Sequence, residues 1–250
     1  MQQYKNEVEI LRAVDSEYII HYIDSWMDKE KKKVVIITQY MPSGTILQYI
    51  KNKNVSLKAI KKWAVQILNG LNYLHSRNPP IIHKDLKCAN LFIDGVVSLI
   101  RIGDLGLASH STKDSPIAGT IPYMAPEIID SNVYNEKTDM YAFGMCLLEI
   151  LTKKTPYSEC QSTNELLAKI LSDEPPAALA EISDPDFKQL IEQLLGPPET
   201  RPTAADLLVD SFLLQESDEV SLSQRESAAE FHPVENWIPV QFPRVVARGV

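Results

Sequence analysis

Two neighbouring segments contain most of the chemically informative residues of this sequence. The first is Ile81-Ile82-His83-Lys84-Asp85-Leu86-Lys87-Cys88-Ala89-Asn90-Leu91-Phe92, and the second is Ile102-Gly103-Asp104-Leu105-Gly106-Leu107-Ala108. Between 80 and 108, short apolar runs alternate with polar residues and glycines, a pattern that predicts small strands joined by functional loops. The polar residues of these loops are therefore the first candidates for chemistry.

Four side chains in the two segments match the requirements of phosphoryl transfer. The reaction needs a carboxylate that orients the attacking hydroxyl, a cation beside the moving phosphoryl group, and oxygen ligands that hold Mg²⁺ against the phosphates. Asp85 and Lys87 supply the first two, and Asn90 and Asp104 supply the oxygen ligands. An isolated Asp or Asn in a loop is more often a turn or cap residue, so further matches are needed.

The two segments resemble the His-Arg-Asp-x-x-x-x-Asn catalytic loop and the Asp-Phe-Gly element of eukaryotic-type protein kinases. Asp85 and Asn90 have the spacing of that loop, and further kinase-like segments follow in the order of the family. They are Gly119-Thr120-Ile121-Pro122-Tyr123-Met124-Ala125-Pro126-Glu127, Asp139-Met140-Tyr141-Ala142-Phe143-Gly144 and Glu199-Thr200-Arg201-Pro202. A chance resemblance is excluded, because these segments occur in the same order as in the kinase family. The resemblance also implies an ion pair between Arg201 and Glu127.

The resemblance implies an α+β, bilobal protein-kinase fold. Residues 1–42 are expected to form a truncated small lobe of helix C, two strands and the hinge, and residues 43–214 a complete, mainly helical large lobe. Sequence patterns predict strands over 21–26 and 34–39, and helices over 4–14, 45–51, 59–75, 139–152, 163–172, 186–195 and 204–208. The composition of 215–250 predicts a poorly ordered tail.

Motif details imply serine/threonine specificity and the WNK (with-no-lysine) subfamily. Lys87, two residues after Asp85, and Thr120, directly after Gly119, are what serine/threonine kinases carry at those positions. The Asp104-Leu105-Gly106-Leu107-Ala108 turn, with Leu in place of Phe, is similar to WNK sequences. Further WNK-like stretches are Tyr141-Ala142-Phe143-Gly144-Met145-Cys146, 79–83 and 156–160.

The resemblance assigns cofactors, partners and site residues. ATP and Mg²⁺ are the implied cofactors, and protein Ser and Thr residues the implied substrates. Leu105 and Leu107 would frame a chloride site of the kind found in WNK kinases, although both also suit hydrophobic packing, and His83 is expected to be structural. The residues implied for catalysis are Asp85, Lys87 and Thr120, and those implied for the metal are Asn90 and Asp104. The residues implied for ATP binding are Glu7 on helix C, Thr38 as gatekeeper, Gln39 and Met41 in the hinge, and Phe92 on the floor of the adenine pocket.

One part of the kinase pattern is missing from the sequence. Its nine glycines form no Gly-x-Gly-x-x-Gly loop, and Lys5 is the one lysine before Glu7. Because such a loop and a lysine grip the phosphates, we expect weak ATP binding and little turnover from these residues. We also expect the two-stranded sheet to have an unpaired edge. A serine/threonine kinase and a non-catalytic kinase-like binding module are both considered, and the intact set of Asp85, Lys87, Asn90 and Asp104 favours the kinase.

Lys84 stands where most such kinases have an arginine that meets a phosphate on the activation loop. Lysine keeps the positive charge but lacks the bidentate fork of arginine. Phosphorylation of the loop would still let Lys84 order it. The candidate hydroxyl residues are Ser109, Ser111, Thr112 and Ser115, with Ser115 preferred.

Composition limits the partners of the chain. A formal net charge of −8 over 250 residues argues against a general affinity for nucleic acid or for an anionic membrane surface. The three cysteines, at 88, 146 and 160, have neither zinc-type spacing nor a disulfide framework. With no membrane-length apolar run and no signal peptide, we expect a cytoplasmic protein that binds neither nucleic acid nor membrane.

Overall fold

The computed structural model describes residues 2–28, 33–110, 117–214 and 246–249. Short 3₁₀ turns occur at Cys88–Asn90, Leu105–Leu107, Ile121–Tyr123 and Ala177–Glu181. The helices and strands, in chain order, are α1 (Gln2–Ala13), β1 (Tyr22–Asp28), β2 (Lys33–Thr38), α2 (Ile46–Asn52), α3 (Leu57–His75), β3 (Leu91–Asp94), β4 (Leu99–Ile102), α4 (Pro126–Ser131), α5 (Glu136–Thr152), α6 (Thr163–Leu171), α7 (Pro185–Leu195), α8 (Ala204–Leu208), α9 (Ser211–Leu214) and β5 (Val246–Gly249). Two small sheets and a mainly helical remainder confirm the α+β fold.

The first sheet contains one strand that the sequence did not predict. β1 and β2 pair antiparallel, and β5 pairs antiparallel with the other edge of β2, so that Val35 lies opposite Ala247. The expected open edge of β2 is therefore covered along these residues. The sequence predicted a poorly ordered tail over 215–250, but four of those residues form β5, and residues 215–245 and 250 lie outside the described part of the chain.

Two long helices form the centre of the large lobe. α3 begins at the Ser56 cap, whose hydroxyl accepts the backbone N–H of Ala59, and its buried face carries apolar residues at helical spacing. α5 begins at the Asn135 cap and is buried on nearly all sides from Thr138 to Ile150, as expected for a helix surrounded by other elements. The predicted helices are confirmed, including the five-residue α8, whereas α4 and α9 were not predicted.

The β3–β4 hairpin positions the two segments that carry the candidate chemistry. The segment from 81 to 90 leads into β3, and the segment that begins at Gly103 follows β4. Ile102 ties this hairpin to the first part of the chain, because its N–H donates to Tyr18 O over 2.8 Å and its carbonyl accepts the N–H of Ile20 over 2.8 Å. The ends of one short hairpin therefore bring the two segments side by side.

Candidate active site

Asp139, near the start of α5, holds the loop that contains Asp85. Its carboxylate is 1% exposed and accepts the backbone N–H groups of His83 and Lys84 over 2.8 and 3.0 Å. It also lies 2.9 Å from His75 Nε2. Burial alone would raise the pKa of Asp139, but the hydrogen bond and charge of His75, together with His83, outweigh burial and lower that pKa. A buried, ionised carboxylate thus fixes the loop, with Lys84 at a positive φ of 67°.

His83 links the two candidate segments to each other. Its Nδ1 accepts the backbone N–H of Asp85 over 3.3 Å, so its Nε2 carries the proton and donates to Gly103 O over 3.0 Å. The ring is fully buried. The expected structural role of His83 fits these contacts, since the ring fixes Asp85 relative to the residue that precedes Asp104.

Asp85, Lys87 and Thr120 converge on one another. Lys87 Nζ donates to Asp85 Oδ2 over 2.8 Å and to Thr120 Oγ1 over 2.7 Å. Thr120 Oγ1 in turn donates to Asp85 Oδ1 over 2.7 Å. The three residues expected to act in catalysis are therefore brought together, although Thr120 comes from a separate segment of the chain.

Asn90 and Asp104 are adjacent to this group and present oxygen atoms. Asn90 Nδ2 donates to Asp85 O over 2.8 Å and to Asp85 Oδ2 over 3.3 Å, which leaves its amide oxygen available to a cation. Gly103 N donates to Asn90 O over 2.8 Å, and this bond places Asp104 one residue away. Within the described residues no group of three or more His, Cys, Asp and Glu side chains could hold a metal ion. The pair fits Mg²⁺ bound to phosphates, because Mg²⁺ takes few protein ligands and prefers hard oxygen.

The segment after β2 leaves two backbone groups free. Gln39 N donates to His21 O over 2.8 Å, and Gly44 N donates to Met41 O over 3.1 Å. The carbonyl of Gln39 and the N–H of Met41 have no partner in the described part of the chain. Thr38, at the end of β2, is partly buried. These free groups match the backbone role expected for the hinge.

Phe92 packs against the segment that carries Asp104. A Cβ added at Gly103 would lie 2.5 Å from Phe92 Cε2, so a larger residue there would force the Phe92 ring to shift. This close contact explains the glycine before Asp104. Glu7 lies within α1, but its side chain is outside the described residues.

The expected ion pair between Arg201 and Glu127 is confirmed. Arg201 Nη1 lies 2.6 Å from Glu127 Oε1, and the arginine side chain is 1% exposed.

Leu105 is fully buried and Leu107 is partly buried, as packing residues are. Of the expected phosphorylation sites, Ser109 pairs its backbone with Ile82, and Ser111, Thr112 and Ser115 lie outside the described residues.

Sequence reasoning missed two buried tyrosines that support the segment around Thr120. Tyr123 Oη donates to Glu149 Oε2 over 2.5 Å, and burial, reinforced by Cys88 and other neighbours, raises the pKa of Tyr123. Tyr134 Oη makes two hydrogen bonds to the backbone of Ala118. Tyr123 lies within the kinase-like segment from Gly119 to Glu127, but its bond to Glu149, like that of Tyr134 to Ala118, joins separate parts of the chain and has no sequence signal.

Comparison with known proteins agrees with the kinase interpretation of these residues. The family model for the protein kinase domain matches residues 1–213. The chain is 44% identical over 232 residues to the probable serine/threonine-protein kinase WNK9 of Oryza sativa subsp. japonica, and 42% identical over 219 residues to the probable serine/threonine-protein kinase WNK5 of the same plant. These alignments cover 92% and 86% of this chain and 55% and 67% of the relatives.

The chain belongs to the WNK family of protein kinases. A third relative, serine/threonine-protein kinase WNK8 of Arabidopsis thaliana, is 41% identical over 236 residues, which are 92% of this chain and 42% of that protein. The chain spans about half the length of several of these WNK relatives. Protein kinases in general use ATP and Mg²⁺, with which the donors at Asn90 and Asp104 agree. No helix in the described ranges is long and apolar enough to cross a membrane.

Proposed function

We propose that this chain transfers the terminal phosphoryl group of Mg-ATP to serine or threonine hydroxyls of protein substrates. The contact among Asp85, Lys87 and Thr120 carries the proposal. A carboxylate, an ammonium and a hydroxyl meet at 2.7–2.8 Å, although Thr120 comes from a different segment. Phosphoryl transfer depends on positioning and on electrostatic stabilisation, and this group supplies both.

Each residue of the group has a distinct role in the proposed reaction. Asp85 orients the substrate hydroxyl and accepts its proton as the oxygen bonds to phosphorus and the bond to ADP breaks. Lys87 stabilises the negative charge of the transferred group, and Thr120 fixes Asp85 and Lys87 relative to each other. Bound Mg²⁺ supplies charge neutralisation on the phosphates, and Asn90 and Asp104 are the residues proposed to hold it.

The nucleotide base is assigned to the free groups of the hinge. We assign the Gln39 carbonyl to accept a hydrogen bond from the adenine amino group, and the Met41 N–H to donate to a ring nitrogen. Thr38 would lie behind the base and Phe92 beneath it. Glu7 is assigned to the position of the helix C glutamate, whose partner in kinases is the phosphate-contacting lysine that the sequence pattern lacks here.

A non-catalytic kinase-like module is not favoured. Such a module would have no need of Asp85, Lys87 and both oxygen ligands, and all four are present. The similar proteins are named as serine/threonine-protein kinases. Chloride binding near Leu105 and Leu107 and a cytoplasmic location stay predictions.

The decisive experiment measures phosphate transfer from radiolabelled Mg-ATP to a mixed Ser/Thr protein substrate. Because these 250 residues contain no glycine-rich loop, we expect slow turnover, and the readout is the ratio between variants. Asp85→Asn should lower the rate by roughly a hundredfold or more. Asp104→Asn should abolish the Mg²⁺-dependent part of the thermal shift caused by ATP.

Asp186→Asn is the matched control. Asp186 lies in the first turn of α7 and is exposed, so the same chemical change there should alter neither readout. Equal rates for the wild type and Asp85→Asn, or an ATP shift that is independent of both Mg²⁺ and Asp104, would refute the proposal.

A further inference from the structure

Two of the three consecutive residues from 118 to 120 lie against the catalytic loop, and the third bonds to a side chain outside that loop. Thr120 bonds to Asp85 and Lys87. Gly119 has a φ of +124°, and a Cβ added there would lie 2.7 Å from Lys84 O. The conformation and the close contact both require glycine. The third residue, Ala118, has no side chain able to hydrogen-bond, so its position depends on its backbone.

Both backbone groups of Ala118 bond to a single hydroxyl. Tyr134 Oη accepts the Ala118 N–H over 2.8 Å and donates to Ala118 O over 2.9 Å. Tyr134 is 1% exposed and lies just before the Asn135 cap of α5. Burial raises the pKa of Tyr134, although its hydrogen bond with Ala118 opposes the shift. The hydroxyl therefore remains protonated at neutral pH and can both accept and donate.

The ring of Tyr134 rests against the ammonium of Lys84. Lys84 Nζ lies 4.6 Å from the ring centroid, and Lys84 is 8% exposed. No carboxylate of the described ranges forms an ion pair with Lys84. A poorly solvated cation over an aromatic face is a favourable contact. One face of Tyr134 thus contacts the catalytic loop, while its hydroxyl contacts the segment that carries Thr120.

We propose that Tyr134 is a positioning residue for the phosphoryl transfer proposed above, and that it keeps Ala118 where Thr120 can reach Asp85 and Lys87. The loop side is fixed independently, because Asp139 of α5 binds the backbone N–H of Lys84. Tyr134 and Asp139 come from the same stretch of chain. That stretch therefore fixes both partners of the contact between Thr120 and Asp85. Tyr134 touches neither Asp85 nor Thr120 by any hydrogen bond within the described residues, so it acts through Ala118.

Tyr134→Phe tests this role directly, because it removes the hydroxyl and keeps the ring under Lys84. Hydrogen exchange, measured by mass spectrometry with fragmentation that isolates the Ala118 amide, should become about tenfold faster or more, since the amide loses its acceptor. The KM for a protein substrate should rise, or kcat should fall, by about three- to tenfold, while the KM for ATP stays constant. A purely structural role would change both KM values together with thermal stability.

Tyr157→Phe is the matched control, because the Tyr157 hydroxyl donates to Glu174 O over 3.0 Å, away from the catalytic loop. It should change neither Ala118 exchange nor the KM for protein substrate. Lys84→Met, which keeps the Tyr134 hydroxyl, should accelerate Ala118 exchange less than Tyr134→Phe does.

Two results would overturn the proposal. One is unchanged exchange at Ala118 in Tyr134→Phe, and the other is faster exchange with unaltered substrate kinetics. Exchange in α3 and α5 shows whether each variant is folded. The hydrogen-exchange measurement needs no turnover. If the wild type had no activity, the proposed function would be refuted, and exchange at the Ala118 amide would still decide whether Tyr134 holds Ala118 in place.

Discussion

Replacing Arg201 by methionine should cost more stability than removal of any exposed cation of the chain. The guanidinium is 1% exposed and serves three acceptors. Nη1 donates to Glu127 Oε1 over 2.6 Å and to Lys137 O over 2.7 Å. Nη2 and Nε donate to Gly196 O over 2.8 and 3.1 Å. Arg201→Met would leave a carboxylate and two carbonyl groups without their donor.

The size of the effect follows from burial. Removing one partner of a buried ion pair costs about 3–5 kcal/mol. Glu127 retains 16% exposure and can be rehydrated in part, which favours the lower end of that range. We therefore expect a loss of about 3 kcal/mol in the free energy of unfolding, equivalent to a fall of roughly 6–12 °C in Tm for a domain of this size.

The assay is urea unfolding followed by circular dichroism, together with a thermal scan, on wild type and variants. Arg201→Lys should lose roughly half as much stability, because one ammonium keeps the charge but cannot reach every acceptor. Lys154→Met is the control, since the ion pair between Lys154 and Glu181 is about half exposed on both sides (52% and 49%) and should contribute less than about 1 kcal/mol. Equal losses for Arg201→Met and Lys154→Met would refute the reasoning.

Three further predictions concern the catalytic loop and its contacts. Gly119→Ala should cost about 1–3 kcal/mol in urea unfolding, because φ is +124° and the new Cβ would meet Lys84 O at 2.7 Å; an unchanged unfolding midpoint would contradict this. Thr120→Ala should lower kcat by about tenfold in a phosphate-transfer assay while Thr120→Ser restores most of it, and equal rates for Ala and Ser would exclude a role for the hydroxyl. The pKa of Asp139 is lowered in the folded state, so its ionised form stabilises the fold at neutral pH and this contribution is lost as pH falls below about 4. The difference in unfolding free energy between wild type and Asp139→Asn should therefore shrink between pH 7 and pH 3, and a constant difference would show that the carboxylate charge is not the cause.

Much of the fold could be predicted because its signals are local. The apolar face of α3 repeats within 19 residues, and α5 has an unbroken run without polar side chains other than the Tyr141 hydroxyl and the Cys146 thiol from Met140 to Leu148, so both helices follow from local sequence patterns. The proposed catalytic set was predicted for the same reason, since Asp85, Lys87 and Asn90 lie within six consecutive residues. The six residues of α4 and the four of α9 were not predicted, although the five-residue α8 was.

The rest depends on contacts between residues that are distant in the chain. β5 pairs with β2 across some 200 residues, and no property of Val246–Gly249 alone selects that partner. The bond between His75 and Asp139 joins residues 64 positions apart. The free backbone groups of Gln39 and Met41 become recognisable only once the partners of their neighbours are known.

The sequence by itself determined which candidate donor groups this chain carries. A carboxylate, an ammonium and two oxygen ligands at kinase spacing identify the donor set, because spacing along a loop is a local property. Only the tertiary structure decided how those groups are held. Asp139 fixes the loop from a buried helix, and Thr120 joins Asp85 from 35 residues away. Tyr134 reaches Ala118 through a hydroxyl that no motif marks, because the hydrogen bonds of a buried group are set by whatever the packed fold places beside it.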